Sequence, residues 1–203
     1  EVQERETIYQ LLHHYISLSN KMDHSLLAVR DLNHKYIVVE RKDGMKNRMK
    51  LPKAELEHLF YIEVDLHQNL YEIGDVGRGD LVICPIAGGR FEGKITGEVL
   101  NFGADWNLMY PNYLNCVDTR YLLKTDDGAL ISLTTIGRAV IKPEQDEAME
   151  RGEYVDPADY YFRQHLLFET GDERYDWING ACCFGVLGCK DEWTIVYDAY
   201  MVK

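Results

Sequence analysis

Residues 120–136 read Arg-Tyr-Leu-Leu-Lys-Thr-Asp-Asp-Gly-Ala-Leu-Ile-Ser-Leu-Thr-Thr-Ile. Two strand-like runs, Tyr121 to Thr125 and Ala129 to Thr135, flank the pair Asp127-Gly128. An Asp-Gly pair accepts the positive φ of a tight turn, so the stretch predicts a β-hairpin. The pattern continues on both sides of it. Phe60, Ile62, Val64 and Leu66 alternate with polar residues, extended runs follow at 81–83 and 95–100, and Gly88-Gly89 gives a turn signal between them. Downstream, strands are expected over 160–169, 177–186 and 193–202. One helix interrupts them, Pro143 to Arg151, with Pro143 at its start, Glu144, Asp146 and Glu147 in its first turn and Gly152 after its end. Many consecutive strands joined by short turns mean a closed barrel or a sandwich.

The first 55 residues follow another period. Ile8, Leu11, Leu12, Tyr15 and Leu18 recur at helical spacing and predict an amphipathic helix over 7–18. A mixed piece with Leu26, Leu27 and Val29 leads to a strand over 36–40 and a turn at Asp43-Gly44. Arg41, Lys42, Lys46, Arg48 and Lys50 form a basic island, read as a solvated hairpin. Pro52 marks the join, giving an N-terminal helix and hairpin extension over 1–55 and an all-β domain over 56–203.

Composition narrows the function classes. The 203 residues carry 22 Lys+Arg against 34 Asp+Glu, a net charge of −12, which repels a phosphate backbone and sets nucleic acid aside as a partner. No run of about 18 apolar residues exists, so no membrane partner is expected. Glu1 to Glu6 is charged where a signal peptide needs a basic and then an apolar stretch. The odd count of five cysteines, Cys84, Cys116, Cys182, Cys183 and Cys189, fits reduced structural thiols. Together these point to a cytoplasmic protein. The seven histidines form no ligand set, and no G-x-S-x-G, H-E-x-x-H or P-loop pattern occurs, so no metal or cofactor is expected.

Strand parity offers a candidate cavity. Tyr161, Arg163, His165, Leu167 and Glu169 share one parity, as do Tyr175, Trp177, Asn179 and Cys183 on the next expected strand, and Asp118, Arg120 and Leu122 on an earlier one. Turned inward, Arg163, Glu169, Tyr175, Trp177 and Asn179 would line one cavity. Turned outward, Arg163 and Glu169 would face solvent, with Phe162, Leu166 and Phe168 on the core side. Parity alone leaves both open.

Six short motifs occur in order: Gly88-Gly-Arg-Phe-Glu-Gly93, Phe102-Gly-Ala-Asp-Trp106, Asp118-Thr-Arg-Tyr121, Thr125-Asp-Asp-Gly-Ala129, Arg163 with Phe168-Glu-Thr170, and Tyr175-Asp-Trp-Ile-Asn179. In this order they resemble the family called domain of unknown function 3237, over roughly residues 57–203. Ile178 replaces a Leu of the family pattern, and Asn101-Phe102 stands where Pro-Gly or Gly-Gly often precedes Gly-Ala-Asp-Trp. The resemblance implies an antiparallel β-barrel of calycin or allene-oxide-cyclase type, a cavity open at one end and self-association, expected here as a homodimer. It supplies no reaction. Its motif residues at these positions are Arg90, Asp105, Trp106, Asp118, Arg120, Asp127, Arg163, Glu169, Tyr175, Trp177 and Asn179, of which Asp127-Gly128 serves a turn.

Chemistry assigns expected roles among them. A guanidinium at Arg163 would hold a carbonyl or enolate. Glu169, desolvated by aromatic rings, would act as general acid or base, and Tyr175 would donate to an oxyanion. Asp105 is a further catalytic candidate. Arg90, Trp106, Arg120, Trp177 and Asn179 are expected to bind substrate, the tryptophans as flat walls. Three readings follow. The first is a cofactor-independent isomerase, cyclase or lyase acting on a cyclic, largely apolar, oxygenated molecule; the second is a non-catalytic carrier of a small hydrophobic ligand. A third is a scaffold docking through the helix over 7–18.

Overall fold

The computed structural model describes Leu26–Arg30, Tyr36–Glu40 and residues 49–203. The chain divides into two units, Glu1–Lys53 and Ala54–Lys203. In the first, β1 (Leu26–Arg30) and β2 (Tyr36–Glu40) pair antiparallel, Leu26 opposite Glu40 and Arg30 opposite Tyr36. The helix expected over 7–18, the turn at Asp43-Gly44 and all of the basic island but Lys50 lie outside the described residues.

The second unit is an antiparallel β-barrel. Its strands are β3 (Leu56–Leu66), β4 (Tyr71–Asp75), β5 (Asp80–Gly93), β6 (Gly97–Met109), β7 (Leu114–Thr125), β8 (Leu130–Val140), β9 (Tyr161–Glu169), β10 (Cys183–Asp191) and β11 (Thr194–Val202). The order is β3-β11-β10-β9-β8-β7-β6-β5-β4, and β3 also pairs with β5. That last pairing closes eight strands into a ring, with β4 added alongside the start of β5. Closure leaves the ring without unpaired edges. Among the described residues no helix is long and apolar enough to cross a membrane.

The β7–β8 hairpin is built as its sequence demands. Eleven pairs run from Leu114 opposite Val140 to Lys124 opposite Leu130. Gly128 takes a φ of +92° at the turn, where the Thr125 N–H donates to the Ala129 carbonyl and the Gly128 N–H to that of Thr125. Gly88-Gly89 makes no turn. It lies inside β5, where the strand shifts register against β6 and an added Cβ at Gly89 would strike the Glu63 carbonyl of β3. Glycine is needed there for the close approach of two backbones.

Two further elements set the ends. The helix α1 (Pro143–Glu150) joins β8 to β9, with Pro143 in its first turn beside Glu144 and Asp146. The strand expected over 177–186 is corrected: Asp176–Gly180 forms a 3-10 turn, and β10 starts only at Cys183. The turn inserts Ile178 into the end of the barrel, where it is 1% exposed. Phe60, Phe91 and Phe168 fill the same end, with ring centroids 5.3 Å and 6.0 Å from Phe60. Each such fully buried side chain contributes about 1.5–3 kcal/mol of burial free energy. This half of the barrel is packed solid, and the free space lies in the other.

Candidate active site in the barrel interior

A cavity of about 60 Å³ occupies the half of the barrel where β3 ends and β11 begins. Partly exposed Leu66 and Ile195 border it there, so it reaches the rim on that side. Its apolar wall includes Val64, Ile86, Phe162 and Leu187. Into that wall six polar side chains project from four adjacent strands and β11: Asp105, Thr119, Tyr121 with Tyr197, Thr135 and Gln164.

Asp105 reaches the interior because of a local irregularity. Between Val99 and Gly103 the β6–β7 register shifts: Val99 faces Leu123, yet Gly103 faces Tyr121. Two extra residues in β6 preserve parity, so Asp105 stays on the inner face opposite Thr119. Gly103 takes a φ of +103° and lies so close to Arg120 that a Cβ would collide with its carbonyl. Trp106, next in sequence, points outward and is 42% exposed.

The carboxylate of Asp105 accepts the Thr119 hydroxyl at 2.8 Å and the Asp118 backbone N–H at 3.0 Å. Both bonds fall on Oδ1, and Oδ2 accepts none among the described residues. Burial pushes this carboxyl up to about 6, against the opposing pull of the Thr119 and Asp118 hydrogen bonds. Cys84, its cross-strand partner on β5, is buried as well, and desolvation lifts its thiol to about 11.

A pair of phenols lines the same cavity. The Tyr121 and Tyr197 hydroxyls lie 2.5 Å apart, fully enclosed, and burial raises both well above the ordinary tyrosine value. Both therefore keep their protons at neutral pH. One proton serves their mutual bond, and the other is available to an oxygen in the cavity. Thr135 Oγ1 is buried with no hydrogen-bond partner among the described residues, and Gln164 is 6% exposed between Phe162 and Leu166. A buried hydroxyl left unpaired costs about 1–3 kcal/mol unless a ligand or water satisfies it.

The arrangement is thus a carboxyl poised to gain or lose a proton near neutral pH, beside neutral donors, in an apolar pocket. The family model described as "Protein of unknown function (DUF3237)" matches residues 54–202. The chain belongs to the DUF3237 family. A curated relative, UPF0311 protein RPA1785 of Rhodopseudomonas palustris, is 37% identical over 128 residues, 63% of this chain and 83% of that one. The crystal structure of a beta-barrel like protein from Acinetobacter baumannii is 40% identical, with a TM-score of 0.67, covering 77% of this chain and all (100%) of the other. An enzyme from Penicillium herquei superposes at a TM-score of 0.55 with 21% identity, a likeness of fold alone, covering 77% of this chain and 99% of that one.

Of the DUF3237 motif residues expected at the site, the cavity receives Asp105. The inward reading of β9 is corrected: Phe162, Gln164, Leu166 and Phe168 are buried, which turns Arg163 and Glu169 outward. Arg120 is likewise outward and exposed on β7, where Thr119 and Tyr121 take the inner face. The residues 175–179 do not follow strand parity, because they form the 3-10 turn and its cap at the packed end. There the Tyr175 hydroxyl donates to Asp127 at 2.9 Å, and Asn179 exchanges two hydrogen bonds with the Thr170 backbone, at 2.8 Å and 2.9 Å. Trp177 packs against the core beneath Lys94, whose Nζ is 4.6 Å from the ring centroid. Arg90 lies on the surface, 3.2 Å from Asp126.

Sequence reasoning missed Tyr121, Tyr197, Thr119, Thr135 and Gln164. The signal available was the other parity of the same strands: Val117, Thr119, Tyr121 and Leu123 alternate on β7 as a mostly apolar row with polar members. All five cysteines are free thiols. Burial also lifts the Cys183 and Cys189 thiols to about 11, which fits the structural role expected of them.

Proposed function

We propose that this DUF3237 barrel is an acid–base enzyme of the isomerase, cyclase or lyase type, acting on a largely apolar, oxygenated small molecule with Asp105 as the proton carrier. The observation that carries this reading is the Asp105 carboxyl itself: enclosed, bonded through one oxygen only, and held at about 6 by burial. A general acid or base works best when its proton affinity lies near the working pH.

A cavity of about 60 Å³ is smaller than the roughly 150 Å³ that admits benzene. The substrate therefore enters by its oxygenated edge, with its remaining apolar body at the rim by Leu66 and Ile195. Asp105 Oδ2 takes a proton from the carbon beside a carbonyl, and the free hydroxyl proton of the Tyr121–Tyr197 pair donates to the oxygen that becomes negative. Asp105, now a carboxylic acid, returns the proton at another position or to a departing oxygen. Electrons stay within the substrate, so the step uses neither nucleotide nor metal. Donors aimed at a developing oxyanion in a dry site are worth about 10²–10³ in rate.

The apolar wall of Val64, Ile86, Phe162 and Leu187 favours the second reading, a carrier in which Asp105 anchors a ligand hydroxyl. One experiment separates the two. A pool of cyclic enones, phenolics and terpenoid-like compounds is incubated with catalytic amounts of the protein or of Asp105→Asn and followed by chromatographic mass spectrometry. A product of new retention, of unchanged mass for an isomerase or cyclase or lighter by the departing group for a lyase, formed by the parent and lost in the variant, supports the enzyme. One compound retained one-to-one without product supports the carrier.

A further inference from the structure

On the outer wall of the barrel, β8 and β9 set Arg138 and Arg163 directly opposite each other. Both point away from the core, because their alternate neighbours Gly137, Ala139, Phe162 and Gln164 are buried. Like charges facing each other across a strand pair repel and weaken it. Among the described residues, the arginines with a carboxylate within 4 Å are Arg90, Arg151 and Arg174, and neither Arg138 nor Arg163 has one. Their immediate neighbours in the row, Cys116 on β7 and Val186 on β10, carry no negative charge, and the next member, Asp198 on β11, is engaged by His58 at 2.8 Å. Among the described residues, this pair stands without an answering carboxylate within 4 Å.

The two guanidinia are nevertheless held in place. Arg138 Nη1 donates to the Gly137 carbonyl and Arg163 Nη1 to the Phe162 carbonyl, each at 2.6 Å. Arg163 also lies 5.3 Å from the centroid of the Tyr161 ring. Each fork spends one N–H on the backbone and keeps the others. Above them opens a groove of about 640 Å³, whose apolar and aromatic wall includes Ile136, Tyr161 and Phe184.

We propose that this groove binds a phosphate monoester, its dianionic head between Arg138 and Arg163 and its organic group against Tyr161 and Phe184. Two fixed positive charges match a doubly charged head, and its three terminal oxygens can engage both forks, whereas one carboxylate fills a single fork. The site lies on the outside of the wall and does not depend on the role of Asp105.

The test is calorimetric titration of the full chain at pH 7.5 and low salt with phenyl phosphate, inorganic phosphate and benzoate. Phenyl phosphate is expected to saturate at one per chain, inorganic phosphate to bind more weakly and benzoate most weakly. Arg138→Gln and Arg163→Gln should each weaken phenyl phosphate at least tenfold, and Arg138→Lys, which keeps the charge without the fork, by less than Arg138→Gln. Circular dichroism melts should show each single variant folded, with no loss of Tm because a repulsion is relieved. Absence of saturable phenyl phosphate binding, retention of affinity within twofold in the Gln variants, or tighter binding of benzoate would overturn the proposal.

Discussion

The hydroxyl of Tyr121 sits 2.5 Å from that of Tyr197, 76 residues away in the chain, with both rings sealed inside the barrel. Neither group has another hydrogen-bond partner in the protein among the described residues. Removing one therefore strands the other. Tyr121→Phe and Tyr197→Phe should each cost about 1–3 kcal/mol, while the double variant should recover much of that loss, since replacing both partners by apolar groups is nearly neutral. Urea denaturation of the four proteins measures this cycle. Turnover should stay low in the double variant, because the donor is gone even though stability returns.

Asp105 links function to stability in the opposite sense. Its folded value of about 6 exceeds the ordinary 3.8, so the folded state prefers the protonated form. The contribution is fully present below about pH 4 and is lost as pH rises through 6. The gap corresponds to roughly 3 kcal/mol at most. Asp105→Asn keeps an oxygen for the Thr119 hydroxyl and removes the buried charge, so the variant should melt higher than the parent at pH 8 and no higher at pH 3.5. A Tm difference independent of pH would show that Asp105 carries no desolvated charge.

The packed end should be indifferent to chemistry. Asp127 accepts the Thr125 hydroxyl at 2.5 Å and the Tyr175 hydroxyl at 2.9 Å and pairs with Arg174 at 2.9 Å; the Thr125 bond above all holds its carboxyl below the usual range. Asp127→Asn should lower Tm by a few degrees at pH 7, with the difference shrinking as pH falls and the parent carboxyl protonates. Tyr175→Phe and Glu169→Gln should leave turnover within twofold. Loss of turnover in either, with Tm unchanged, would move the chemistry away from the interior.

Gly103 fixes the height of Asp105. Gly103→Ala must accommodate both a positive φ and a collision with the Arg120 carbonyl, so it should destabilise the barrel by several kcal/mol or prevent folding. Soluble expression and thermal melts decide this. A variant as stable as the parent would mean that β6 and β7 can part there without cost.

Much of the barrel was legible because its strands obey local rules. Asp127-Gly128 forces a turn, and the alternation from Phe60 to Leu66 shows which face is buried before any partner strand is known. The site was less legible because parity tells two faces apart without saying which is inside. On β9 the row Phe162, Gln164, Leu166 and Phe168 has the greater apolar content and wins the interior, taking one glutamine with it. The motif of 175–179 misleads for a different reason. Tyr175, Trp177 and Asn179 look like alternating strand positions, yet Asn179 is committed to the Thr170 backbone and Ile178 to the core, and these contacts are satisfied by a 3-10 turn. Tyr197 is hidden by distance, since only ring closure brings β11 across from β7.

The most direct measurement is solvent deuterium uptake. The metabolite pool is incubated in deuterated water with catalytic amounts of the parent protein or of Asp105→Asn, and each compound is followed by mass spectrometry. Proton transfer through Asp105 predicts that one oxygenated compound gains deuterium at carbon, or rearranges, with the parent and at least a hundredfold more slowly with the variant. Equal rates in the two proteins, or one compound held stoichiometrically with no exchange, would contradict it.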